Sequence, residues 1–127
     1  MSRSRRRCAS AVEAETQVAL SYLSLAAAIL LGIAGQIVLK SGAVGAASLT
    51  AQLFSPLTIG GLAIYACAAV AYVVALNKIP VSVAFPSVAA SYAVVAVIAH
   101  LLWNEPLGWP QLGGIALIGG GILLIHQ

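Results

Sequence analysis

The chain has 127 residues, 61% of them hydrophobic and only 7% charged, with 6 Lys+Arg against 3 Asp+Glu for a net charge of +3. Soluble domains run near a quarter charged, so a water-soluble globule is excluded. One short chain forms one domain, with no room for a catalytic module beside a membrane anchor. Arg3, Arg5, Arg6, Arg7, Glu13 and Glu15 crowd the first seventeen residues, and beyond them the charged side chains are Lys40, Lys78 and Glu105. So apolar a stretch belongs in lipid. The body carries no basic stripe, which excludes a nucleic-acid partner.

In chain order, residues 1–17 read as a disordered basic cytoplasmic tail and residues 18–127 as a membrane domain. The arginines ahead of an apolar run imitate a secretion signal, but three later spans favour an uncleaved first helix. A span needs about 20 apolar residues at 1.5 Å of rise each. Four runs approach that length: Val18 to Leu39, Leu57 to Leu76, Val81 to Trp103, and Gln111 to Ile125, the last extended by Leu107 to Pro110. Residues 41–54, small and moderately polar, read as a loop or a short interfacial helix. The links after the second and third spans are tight, which makes those neighbours antiparallel hairpins. The expected fold is an all-α integral membrane protein with four transmembrane helices, functional as a dimer.

Lys and Arg favour the cytoplasmic side. With both termini inside, Arg3, Arg5, Arg6, Arg7 and Lys78 are cytoplasmic and only Lys40 lies across the inner membrane. Without the tail the body is nearly indifferent to orientation, as a small antiparallel dimer requires. The tail arginines also attract anionic lipid heads, at roughly 1 kcal/mol each.

Lipid gives helices no hydrophobic reason to associate, so small residues that let backbones approach do that work. In the fourth span Gly113 and Gly120 are seven apart, as are Gly114 and Gly121. This face either packs inside one chain or forms a dimer seam. The first span carries a comparable set in Ala28, Gly32 and Gly35.

Polar groups within spans are costly and therefore informative. Gln36 stands one turn before Lys40 on the same helix face. The third span holds Ser82, Ser87, Ser91, Tyr92 and His100, and Pro86, lacking an N–H, is expected to bend it. Serines of this kind either bond back to their own helix or face a cavity. Tyr22, Tyr65, Tyr72, Trp103 and Trp109 read as interfacial anchors or packing residues. His100 and the terminal His126 read as solvated.

Between Val18 and Trp103 there is no Asp or Glu. A proton-coupled exporter of organic cations needs a carboxylate there, whereas Lys40 and Lys78 suit an anionic head group. On this topology Lys40 and Glu105 share one membrane face and pair when the site is empty, a phosphate displacing Glu105 on binding. No catalytic triad, paired carboxylate, phosphate-cradling glycine loop or metal cluster is present, and Cys8 and Cys67 form no disulfide or metal framework. Neither an enzyme nor a cofactor is expected.

Three stretches carry a family resemblance. Glu105-Pro106-Leu107 with Gln111, Gly114, Leu117-Ile118 and Gly121 resembles the last hairpin of the EamA branch of the drug/metabolite transporter superfamily. Leu31-Gly32-Ile33-Ala34-Gly35-Gln36 with Lys40 resembles the first helix of the aminoarabinose–undecaprenyl-phosphate flippase small subunits. Asn77-Lys78-Ile79-Pro80-Val81 with Ala84-Phe85-Pro86 resembles the start of their third helix. The resemblance implies a four-helix subunit, working as a homodimer or as a heterodimer with a sister subunit, that moves a polyprenyl-phosphate-linked sugar between leaflets. The related small multidrug resistance exporters share this layout, but their first-helix glutamate falls at or near Gly32 here.

The expected function is thus a lipid-linked sugar flippase of the inner membrane, exposing a cavity between subunits to each side in turn. Gln36, Lys40, Ser87, Ser91, Tyr92 and Glu105 are the expected substrate-binding residues. Gly113, Gly114, Gly120 and Gly121 are the expected packing or dimer residues, and surrounding lipids the other contacts. The alternatives are a small multidrug or metabolite exporter and a non-transporting subunit of a membrane glycosyltransferase system.

Overall fold

The computed structural model describes residues 3–125, with side chains from Ser10 onward. The tail arginines' side chains, the Cys8 thiol and His126 lie outside the described residues. Five helices follow in order: α1 Arg3–Ala43, α2 Leu49–Leu53, α3 Pro56–Ala75, α4 Val81–Trp103 and α5 Trp109–Ile125. In α1, α3 and α4 the apolar stretches are long enough to cross a membrane, and α5 is a shorter apolar helix of 17 residues. At 1.5 Å per residue α5 reaches about 25 Å, the lower limit for a span. The chain is a multi-pass membrane protein.

Local chemistry fixes most boundaries. The Ser55 hydroxyl accepts the Thr58 N–H at 3.1 Å and Pro56 fills the first turn of α3, where no N–H is needed. Ser48 caps α2 in the same way through Ala51 N–H, so the segment after the first span contains the short helix. Pro80 opens α4, which runs unbroken through Pro86. Asn104 ends it in the left-handed conformation at φ 51°, a state Asn tolerates better than most residues. The start of α1 differs from expectation. Helix begins at Arg3 and includes the segment expected to stay disordered; Arg, Ala and Glu favour helix and the segment has no Gly or Pro to break it.

Packing centres on α1 against α3, with α4 beside α1 and α5 resting on α4. The α1–α3 pair is antiparallel: Gly42 meets Thr58, Gly61 meets Leu39 and Gly35 meets Tyr65. At the other end Leu25, Ala75, Ile79 and Ala84 form a small buried cluster joining α1, α3 and α4. Elsewhere large apolar side chains such as Leu30, Leu101 and Leu117 are exposed, a surface suited to lipid or to another apolar helix.

The close approach at Gly61 leaves no space for a side chain, since a Cβ there would stand 2.8 Å from Leu39 Cγ and 2.9 Å from the Leu39 backbone nitrogen. The neighbouring Gly60 has nothing within 4 Å. Gly61→Ala is therefore expected to destabilise the detergent-solubilised protein by about 1–3 kcal/mol through overpacking. Gly60→Ala is expected to be neutral or slightly stabilising, and thermal unfolding followed by circular dichroism compares the two.

Candidate functional site

At the end of α1 the Lys40 ammonium donates to Glu105 Oε1 at 2.6 Å. Three features bring Glu105 there. The left-handed Asn104 turns the chain off the α4 axis. Pro106 restricts the residue before it to extended backbone. The His100 ring then holds the turn, its Nδ1 lying 2.7 Å from the Glu105 carbonyl oxygen; a carbonyl only accepts, so Nδ1 carries the hydrogen. Just beyond, Gly108 N–H donates to Gln111 Oε1 at 2.6 Å and starts α5. The motif Glu105-Pro106-Leu107 is thus a built turn that returns a carboxylate to α1.

The Lys40 and Glu105 side chains are 46% and 43% exposed. An ion pair so accessible contributes no more than about 1 kcal/mol, because water solvates both partners well. It can be opened cheaply by a competing anion.

Glu105 also lines a cleft of about 380 Å³ between α1, α3 and α4, together with Gln36, Ser91, Tyr92, Gly32 and Tyr65. A second cavity of about 220 Å³ shares Ala28, Gly32, Tyr65 and Val88 with it and continues past Ala69 to Tyr72 and Phe85. The two form one continuous cleft, polar toward Lys40 and apolar toward the far end. Gly32 opens it, since no atom stands within 4 Å of where a Cβ would be.

Of the expected binding residues, Gln36, Ser91, Tyr92 and Glu105 line the cleft and Lys40 stands on Glu105 at its mouth. Ser87 is placed otherwise: its hydroxyl donates to the Val83 carbonyl at 2.7 Å, and it does not line either cavity. Ser91 lines the cleft while donating back to Val88 at 2.7 Å, which leaves its oxygen lone pairs as acceptors. Tyr65 and Tyr72, expected to anchor or pack, turn out to be cleft residues. Their spacing of seven, which puts both on one face of α3, was the available signal. The Tyr72 hydroxyl is buried and has no hydrogen-bond partner, a state that costs about 1–3 kcal/mol.

The fourth-span glycines do not pack within the chain. Gly113, Gly114, Gly120 and Gly121 face open space, with nothing within 4 Å of where a Cβ would stand. In contrast, Gly35 of the first span is buried against Tyr65 and Gly61.

The sequence from residue 8 to 127 matches the EamA-like transporter family. Over 105 residues the chain is 32% identical to the probable 4-amino-4-deoxy-L-arabinose-phosphoundecaprenol flippase subunit ArnE of Escherichia coli O45:K1, covering 82% of this chain and 95% of that protein. Over 71 residues it is 39% identical to the probable 4-amino-4-deoxy-L-arabinose-phosphoundecaprenol flippase subunit ArnF of Sodalis glossinidius. That alignment spans about half of each chain, 54% of this one and 55% of the relative. No solved structure matches the chain significantly. With three span-length helices, a shorter apolar one, a cleft among the long helices and a family match over nearly its whole length, the chain belongs to the EamA-like transporter family.

Proposed function

We propose that the protein is one subunit of a flippase that carries a polyprenyl-phosphate-linked sugar between the leaflets of the inner membrane. The observation that carries this reading is the Lys40–Glu105 pair at the mouth of a cleft lined by Gln36, Ser91 and Tyr92. A phosphate oxygen competes with the Glu105 carboxylate for the Lys40 ammonium, and a charge-assisted hydrogen bond replaces the one that is lost. Gln36, one turn before Lys40 on α1, meets a second phosphate oxygen or a sugar hydroxyl. Ser91 and Tyr92 on α4 complete the polar wall. Bonded to its own helix and away from the cleft, Ser87 has no part in it. The prenyl chain stays in lipid. Without such a groove the head group would have to shed its water in hydrocarbon, and that desolvation is the barrier the groove lowers.

Export of organic cations is the weaker reading. Among the described spans the cleft offers no carboxylate except Glu105, which sits at its mouth and is already paired. The two relatives described above are named as probable 4-amino-4-deoxy-L-arabinose-phosphoundecaprenol flippase subunits. Both termini are assigned to the cytoplasm, from five basic residues against one. Lys40 then faces the far side of the membrane.

In vesicles reconstituted with 4-amino-4-deoxy-L-arabinose-phosphoundecaprenol, Lys40→Ala is expected to slow transfer between leaflets by tenfold or more, the loss of one charged hydrogen bond. Glu105→Gln is expected to retain binding, because it frees the ammonium rather than removing it. Transfer unchanged in Lys40→Ala would sink the phosphate role.

The open glycine face of α5 is proposed as the seam to a second subunit, either an identical copy or a sister chain. Gly120→Leu is expected to lower the dimer fraction about tenfold without changing the melting temperature of the monomer, read by single-molecule photobleaching in bilayers. A seam elsewhere would leave the dimer fraction unaffected.

A further inference from the structure

Side chains hold the turn between α4 and α5. Among the described residues, Asn104 to Leu107 make no backbone-to-backbone hydrogen bond. The tie comes from His100, in the last turn of α4, whose Nδ1 donates to the Glu105 carbonyl oxygen at 2.7 Å. Glu105 is therefore fixed twice, its main chain by His100 and its carboxylate by Lys40 at 2.6 Å. Pro106 confines Glu105 to extended backbone, which is a broad region, and the His100 bond selects one orientation within it. His100 itself is exposed and does not line the cleft. Any effect it has on the cleft passes through Glu105.

We propose that His100 is a positioning residue for anion binding, holding Glu105 where its carboxylate competes with a phosphate for the Lys40 ammonium. It rests on the flippase reading above. An intramolecular competitor acts through its effective concentration, which rises when the chain carrying it is held close to its target. Untied, the turn lets the carboxylate spend more of its time in water, and Lys40 stands free for a phosphate. Tied, Glu105 must be displaced by every phosphate that binds, and it is in place to reclaim the lysine when the head group leaves. A transporter gains from this, because a site that holds its cargo too tightly does not release it. His100 thus lowers anion affinity and quickens release.

The test compares His100→Phe, which keeps a ring and loses the donor, with His100→Asn. The Asn amide nitrogen is as many bonds from the backbone as Nδ1 and donates in its place. Both are studied in the full chain in phosphatidylcholine vesicles. Zero-length carbodiimide coupling joins Lys40 to Glu105 only where they touch, and mass spectrometry reads its yield without ligand. The yield is expected to fall severalfold in His100→Phe and to hold in His100→Asn. Undecaprenyl phosphate is expected to bind about two- to fivefold tighter in His100→Phe, the most that so exposed a pair can withhold. In His100→Asn its affinity is expected to stay unchanged. In a Glu105→Gln background, His100 and His100→Phe are expected to bind it alike, because the competitor is gone. A role confined to folding predicts the opposite sign, weaker binding with a lower melting temperature. That result, or equal coupling yields in all three proteins, overturns the proposal. If the unsubstituted chain binds no undecaprenyl phosphate, the flippase reading falls and the anion role of His100 with it, while the coupling yields still decide whether His100 positions Glu105.

Discussion

The contact between Lys40 and Glu105 joins the last turn of α1 to the turn that connects α4 and α5. It matters out of proportion to its energy. Lipid gives apolar helices little reason to prefer one neighbour over another, so the bundle relies on close backbone approach between α1 and α3 and on a few polar links. The α5 helix rests on α4 alone among its substantial contacts. A half-exposed pair at the cleft mouth is therefore both a tie holding the hairpin to α1 and a tie that a competing anion can undo.

That duality suits a transporter. A strong buried ion pair would resist replacement, because separating buried charges leaves each without a partner. Here water reaches both groups, and exchanging a carboxylate for a phosphate changes little in net charge balance. The cleft behind the pair is graded. Amide and hydroxyl groups lie near Lys40, and aromatic and small apolar residues lie toward the buried cluster of Leu25, Ala75, Ile79 and Ala84. The small residues of α1 divide their duties along this axis. Gly35 lets α3 approach, whereas Gly32, one turn earlier, leaves a gap.

Much of this was legible from the residue order. The third span was bounded at Val81 and Trp103 by Pro80 and Asn104, and the helix has those limits. Placing Lys40 and Glu105 at one membrane face required only an even number of crossings between them, the second and third spans, and a tight hairpin. Other features depended on three-dimensional contact. Nothing in the sequence separates Ser91, which lines the cleft, from Ser87, which does not, because both bond to their own helix. Tyr65 and Tyr72 resembled anchors because tyrosine serves at interfaces and in cavities alike. The glycines of α5 left open whether their face was covered within the chain, since a small-residue stripe looks the same either way. The first helix ran further toward the N-terminus than charge alone suggested, because local propensity is unaffected by the polarity that argued for disorder.

The most direct test is the distance between the Lys40 ammonium nitrogen and the Glu105 carboxylate carbon in bilayers, measured by nitrogen–carbon dipolar recoupling in solid-state NMR. With Lys40 and Lys78 as the only lysines, a Lys78→Arg background assigns the signal. The expected result is a strong coupling in the ligand-free protein that disappears when polyprenyl phosphate is added, replaced by a coupling from the same nitrogen to phosphorus. Persistence of the carboxylate coupling at saturating lipid, with no phosphorus coupling, would contradict the displacement on which the proposed mechanism depends.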